Sequence, residues 1–154
     1  MVSIFAFSEL TNYQLYECLK LRCDVFVCEQ KCIYPELDNK DIDDNSFHAL
    51  MYCDNQLAAY ARILPAGLSY QSPSIGRVLV AEGFRGRGFA ETIMNTCIKF
   101  TFKAYACDTI EIGAQCYLQN FYQKLGFKTS SKPYDEDGIM HVNMRLSALD
   151  SEIE

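Results

Sequence analysis

Apolar and polar positions recur along this chain with periods that separate strands from helices. "SIFAF" near the start has the alternation of a strand. Thr11 and Gln14 then form a T-x-x-Q capping box, in which each side chain satisfies a free backbone N–H of the other residue. Leu15, Leu19, Arg22/Cys23 and Phe26 follow at helical spacing, so a first helical region is expected to reach about Gln30. "FHALMYC", a turn at Asp54-Asn55 and "LAAYARIL" predict a hairpin, and "IGRVLV" a short strand. Phe89, Ile93, Cys97 and Phe100/Thr101 mark one face of a helix that begins after Gly88. "TIEIGA" predicts another strand, and "YLQNFYQKLGF" a short helix closed by Gly126 as its C-terminal cap. "FKTSS", a turn through "DEDG" and "HVNMRL" suggest a last antiparallel pair. The order β-α-α-β-β-β-α-β-α-β-β predicts one α/β (α+β mixed sheet) domain over residues 1–154, with helices packed on the sheet.

Composition narrows the partners. The 154 residues are 49% hydrophobic and 22% charged, the balance of an ordinary globular domain with its own core. A net charge of −6 argues against nonspecific nucleic-acid binding and leaves a cationic small substrate open. The loop "YPELDNKDIDDNS" carries Glu36, Asp38, Asp41, Asp43 and Asp44, either as a solvated loop or as a lip that attracts a cation. No apolar run approaches the roughly 18 residues of a membrane span. The N-terminus lacks the basic start and long apolar core of a signal peptide, so a cytoplasmic protein without a membrane partner is expected. The eight cysteines contain no C-x-x-C pair and are expected to be mostly buried thiols. A zinc site from Cys28, Cys32 and His48 is the alternative, but it lacks the usual paired-ligand spacing, and no metal is expected.

The segment "VLVAEGFRGRGFAETIMNTCI" carries the most chemistry. Three glycines and two arginines stand between an apolar run and a helix, which suggests an anion site at a helix N-terminus. It is not a P-loop, because no lysine follows the glycines. It is not a G-x-G-x-x-G dinucleotide turn either, because Glu91 occupies the third glycine position. The spacing that fits is Arg85-x-x-Gly88-x-Ala90, directly after a strand and opening a helix. It resembles the [Q/R]-x-x-G-x-[G/A] motif of the GNAT superfamily of acyl-CoA-dependent acyltransferases. "NFYQKLGF", with Asn120 and Tyr122 ahead of a Leu-Gly-Phe ending, resembles that superfamily's later helix. "LRCDVFVCEQKCIYPELD", "FHAL", "AYARIL", "GAQ" and "DEDGIMH" resemble its ElaA-type branch, across residues 21–146. Asn39 stands where that pattern has glycine in an acidic D-G-x-D-type loop.

The resemblance implies a GNAT-like sheet of about six to seven strands, in which parallel strands 4 and 5, over 75–80 and 109–114, splay apart to admit acetyl-CoA. Val78, Leu79 and Val80 would then run beside the pantetheine arm. Arg85, Gly86, Arg87, Gly88, Phe89 and Ala90 would cradle the pyrophosphate, and Asn120 would bind the CoA arm. Tyr122 would be the general acid for the leaving thiolate. The superfamily's strand glutamate is absent from "SPSIGRVLV", which leaves Glu111, His48 and His141 as base candidates. Glu29, Gln30 and Asp38 are expected to line the site for a small-molecule or peptide amine, cationic before it reacts. A homodimer follows the superfamily's habit. Two other readings stand beside this one: a CoA-binding sensor without turnover, and thiol chemistry at Cys116 with a histidine base.

Overall fold

The computed structural model describes residues 1–151. Alternation along two central strands, β2 (Phe47–Cys53) and β3 (Gln56–Leu64), divides their side chains between two faces. Ala49, Met51, Ala59, Ala61 and Ile63 face α2 (Phe89–Tyr105), whose Ile93, Met94, Cys97 and Ile98 cover them. Leu50 and Tyr60 face α1 (Asn12–Arg22) and its π-helical continuation, Cys23–Glu29, through Cys18 and Val25. Because both faces are covered, β3 is apolar almost without a break.

The sheet runs β1-β2-β3-β4-β5-β8-β6, with β7 paired to β8. Its other strands are β1 (Val2–Ala6), β4 (Ser74–Val80), β5 (Thr109–Gln115), β6 (Lys128–Thr129), β7 (Tyr134–Glu136) and β8 (Ile139–Ser147). Among the described residues only β4 and β5 are parallel neighbours. Eight strands replace the expected six to seven, because the chain after α3 (Gln119–Lys124) makes two very short strands on β8. Asp137 and Gly138, with φ of +52° and +85°, turn β7 into β8. The Thr11–Gln14 capping box forms in both directions, at 3.1 and 2.9 Å. Asp54 and Asn55 both adopt positive φ, as a two-residue hairpin turn requires. No helix among the described residues is long and apolar enough to cross a membrane.

β4 and β5 pair at one point, Ser74 opposite Glu111, and then diverge. The cause lies within β4. Arg62 of β3 faces Gly76 and Tyr60 faces Leu79, so β4 carries one extra residue. Arg77 absorbs it at φ +51°, a left-handed conformation that costs a non-glycine residue roughly 1–2 kcal/mol.

Charge holds Arg77 in that conformation. Its Nε donates to Glu36 at 2.9 Å, and Arg22 Nε donates to the same oxygen at 2.7 Å. Arg22 also reaches Asp41 at 2.6 Å, while Arg62 grips both oxygens of Asp38 at 2.8 Å. Three guanidiniums and three carboxylates thus form one neutral network, and four of its six members are at most 5% exposed. Burial opposes ionisation of Asp38, but the hydrogen bonds and charge of Arg62 prevail and hold its pKa at about 2. Three of the acidic loop's five carboxylates, Glu36, Asp38 and Asp41, are therefore not free to attract a cation; they lash the loop to α1, β3 and β4. Asn39, where glycine was expected, sits at φ +64°, a conformation asparagine tolerates. We predict that Arg22→Ala, which leaves three carboxylates with two guanidiniums in a buried network, lowers stability by about 3–5 kcal/mol in urea unfolding. Lys20→Ala, which removes an exposed pair on the same helix, should leave the midpoint nearly unchanged.

Candidate active site

The divergence of β4 and β5 leaves a cleft of about 970 Å³. Val78, Leu79 and Val80 border it from β4, and Ile112, Gly113 and Gln115 from β5. At its open end lies the glycine-rich turn. Gly86 and Gly88 adopt φ of +74° and +77°, and a Cβ on either would meet nothing within 4 Å. Glycine is needed there for backbone conformation, not for room. The first bond of α2 joins the Thr92 N–H to the Gly88 carbonyl at 3.1 Å. The N–H groups of Gly88, Phe89, Ala90 and Glu91 therefore precede the helical ladder, as a cradle for an anion.

The two arginines of the turn part company. Arg85 borders the cleft and binds both oxygens of Glu29, at 2.5 and 2.7 Å, while its Nε donates to the Val80 carbonyl at 3.0 Å. Its hydrogen bonds hold the Glu29 carboxyl below the ordinary range. Arg87 turns away, with its guanidinium 5.6 and 5.0 Å from the ring centres of Phe84 and Phe89. Next to Glu29, Gln30 exchanges two amide hydrogen bonds with Gln115, at 3.3 and 3.1 Å. The end of the π-helical segment is thus tied to the β4 side by Glu29 and to the β5 side by Gln30.

Tyr122 reaches the cleft from α3, packed edge-on against Phe121 and Phe127. It is 8% exposed, and its hydroxyl has no hydrogen-bond partner among the described residues. Burial, reinforced by Tyr117, pushes its pKa up, so the phenol keeps its proton. Asn120, on the same helix, is exposed and does not border the cleft.

The three base candidates separate just as clearly. Glu111 sits where β4 and β5 last touch; its carboxylate accepts from the Ser72 N–H at 3.0 Å and from Arg145 at 2.9 Å, and it does not border the cleft. His48 is 1% exposed, between the Tyr60 hydroxyl at 2.7 Å and the Asp41 carbonyl at 3.0 Å, so both ring nitrogens are engaged away from the cleft. His141 does border it. A carbonyl only accepts, so the 2.8 Å contact with Ile139 makes Nδ1 the donor there. Nε2 lies 3.5 Å from Glu136, and the ring stacks on Tyr134.

Asp38 borders the cleft with its carboxylate already held by Arg62. Glu136 and Asp137, on the β7–β8 turn, are the carboxylates that border the cleft without an arginine on them, besides Glu91. The zinc alternative fails, since His48 has no free nitrogen and Cys32 donates to the Asp137 carbonyl at 2.9 Å. Among the described residues no group of three such side chains could hold a metal ion. Of the eight thiols only Cys18, Cys32 and Cys97 are buried, four are half-buried and Cys28 is exposed. Cys116 is half-buried and outside the cleft lining, so it has no nucleophile's position. One cluster carried no sequence signal. Tyr70, Tyr134 and Asn143 meet over Gly113, joined by a Tyr134-to-Asn143 hydrogen bond of 2.7 Å.

A mixed sheet opened between its two parallel strands, with an N–H cradle at the mouth, defines the class. The description "Acetyltransferase (GNAT) domain" matches residues 21–148, and the chain belongs to the GNAT acetyltransferase family. It is 40% identical to protein ElaA of Escherichia coli strain K12 over 137 residues, 89% of this chain and 90% of that protein. The crystal structure of Escherichia coli ElaA matches it with a TM-score of 0.89 at 37% identity, over 96% of this chain and 99% of that one. An acyl-CoA N-acyltransferase from Pseudomonas aeruginosa matches with a TM-score of 0.90 at 33% identity and the same coverage. Membership implies an acyl-CoA co-substrate.

The burial of His48 generates a pH prediction. Burial lowers its pKa below the ordinary 6.5. The unfolded chain therefore binds more protons there, and the stability His48 contributes is full above pH 6.5 and is lost as pH falls through the lowered value. Urea unfolding between pH 7.5 and 5 should show stability falling with acid, and His48→Gln should flatten that slope.

Proposed function

We propose that this protein transfers an acetyl group from acetyl-CoA to a primary amine. The observation that carries the reading is the single-point pairing of β4 and β5, which leaves strand edges free beside an N–H cradle. Acetyl-CoA supplies an activated thioester. Main-chain groups of Val78 to Val80 run beside its arm, and the N–H groups at the start of α2, with Arg85, meet its pyrophosphate. To do so Arg85 exchanges Glu29 for phosphate.

Tyr122 donates its phenolic proton to the leaving sulfur, a role suited to a phenol kept protonated and without another partner. His141 Nε2 is positioned to take the proton that the amine sheds. The acceptor approaches beside Glu136 and Asp137, whose charge favours a cationic amine before deprotonation. Glu29 and Gln30 bound the same space. These roles rest on the cleft geometry and on family membership.

The test is thiol release from acetyl-CoA with a panel of polyamines, amino acids and peptides. Tyr122→Phe should lower kcat by about 10²–10⁴-fold while leaving acetyl-CoA affinity nearly unchanged. Equal turnover by the variant removes Tyr122 from the mechanism. No turnover with any amine, despite tight acetyl-CoA binding, favours a binding module.

A further inference from the structure

We propose that Tyr70 and Tyr134 form a wall that fixes the length of the acyl group, admitting acetyl and rejecting longer chains. The inference rests on the acyl-CoA reading of the cleft. Gly113 lies two residues beyond Glu111, about 7 Å past the last pairing of β4 with β5, just where the cleft begins. It is exposed despite belonging to an interior strand, because β4 has left its side.

The space next to it is filled from above. A Cβ at position 113 would stand 2.6 Å from the Tyr70 hydroxyl and 3.2 Å from the Tyr134 hydroxyl, so both oxygens rest on the bare main chain. The wall is braced. Tyr134 donates at 2.7 Å to Asn143, the β8 residue directly opposite Gly113, and the Tyr70 hydroxyl lies against the same glycine. Alanine at 113 would break this seat.

Direction gives the wall its role. A CoA molecule with its pyrophosphate at Gly86–Ala90 extends its arm toward the closed end of the cleft, so its acyl group arrives facing these two hydroxyls. An acetyl methyl stops short of them. A longer alkyl chain has to push both hydroxyls off Gly113, break the bond from Tyr134 to Asn143 and bury polar groups against methylenes, a penalty with no compensating hydrogen bond. Tyr70 stands on the 65–73 loop, which is pinned through main-chain atoms by a 2.7 Å bond from the Gly67 N–H to the Tyr70 carbonyl. Shortening its side chain leaves that bond in place.

The test is calorimetric titration of the whole chain with CoA, acetyl-CoA, butyryl-CoA and hexanoyl-CoA. The unsubstituted protein should bind hexanoyl-CoA at least about tenfold more weakly than acetyl-CoA, and Tyr70→Ala should close that gap to within about threefold while binding CoA unchanged. Tyr70→Phe, which keeps the ring, should retain most of the discrimination. Tyr134→Ala gives the same reading as Tyr70→Ala should the latter fail to fold. Equal binding of acetyl- and hexanoyl-CoA by the unsubstituted protein, or a gap that survives in both alanine variants, overturns the wall. Failure to bind CoA itself overturns the acyl-CoA reading beneath it.

Discussion

The opening of the sheet depends on one residue held against its own backbone preference. Left alone, a parallel β4–β5 pair would continue its hydrogen bonds from Ser74 and Glu111 toward the end of β5 at Gln115. Arg77 stops it by taking a left-handed conformation, and its guanidinium is fastened to Glu36, 2.9 Å away, in a network that also holds Arg22, Arg62, Asp38 and Asp41. Buried charges are costly to desolvate, so such a network persists only when every charge is matched. Here the match ties the 31–46 loop to the strand that must bend. The strain at one φ and the charges around it form a single device, and the cleft is its consequence.

The same device explains how an acidic chain builds a site for an anionic co-substrate. The loop's main carboxylates are neutralised internally, so they do not repel phosphate at the mouth of the cleft. The ties that remain on the surface are replaceable. Glu29 and Arg85 are an exposed pair, worth little on its own, and Gln30 and Gln115 are neutral amides. The π-helical segment that ends at Glu29, with Gln30 following it, thus rests on the cleft without sealing it. The carboxylates left facing the cleft without an arginine are Glu91, at the start of α2, and Glu136 and Asp137, at the far hairpin.

Much of the architecture was legible because period and punctuation are local. The capping box at Thr11 and Gln14, the Asp54-Asn55 turn, the helix start after Gly88 and the Gly126 cap each follow from a few neighbouring residues. Side-chain roles were less legible, since they depend on which face a residue takes. His48, Arg87 and Asn120 fitted their motifs, and Glu111 was a candidate base in place of the absent strand glutamate, but all four lie outside the cleft lining. The acidic loop read as a lip because its partners stand far away in sequence, in "LKLRC", "YARIL" and "IGRVLV". A lone arginine on an apolar face is itself a signal of a buried carboxylate, and three of them, Arg22 on α1 and Arg62 and Arg77 on strands, matched three acids of one loop. Tyr70 left no signal at all, because its contact with Gly113 depends on the long connection between β3 and β4.

A crystal structure with coenzyme A bound tests the central claim most directly. The account predicts the pantetheine arm between β4 and β5, the pyrophosphate on the N–H groups at the start of α2, Arg85 released from Glu29, and Arg77 still left-handed on Glu36. Coenzyme A bound elsewhere, or β4 and β5 paired along their length with Arg77 in an ordinary strand conformation, would contradict it.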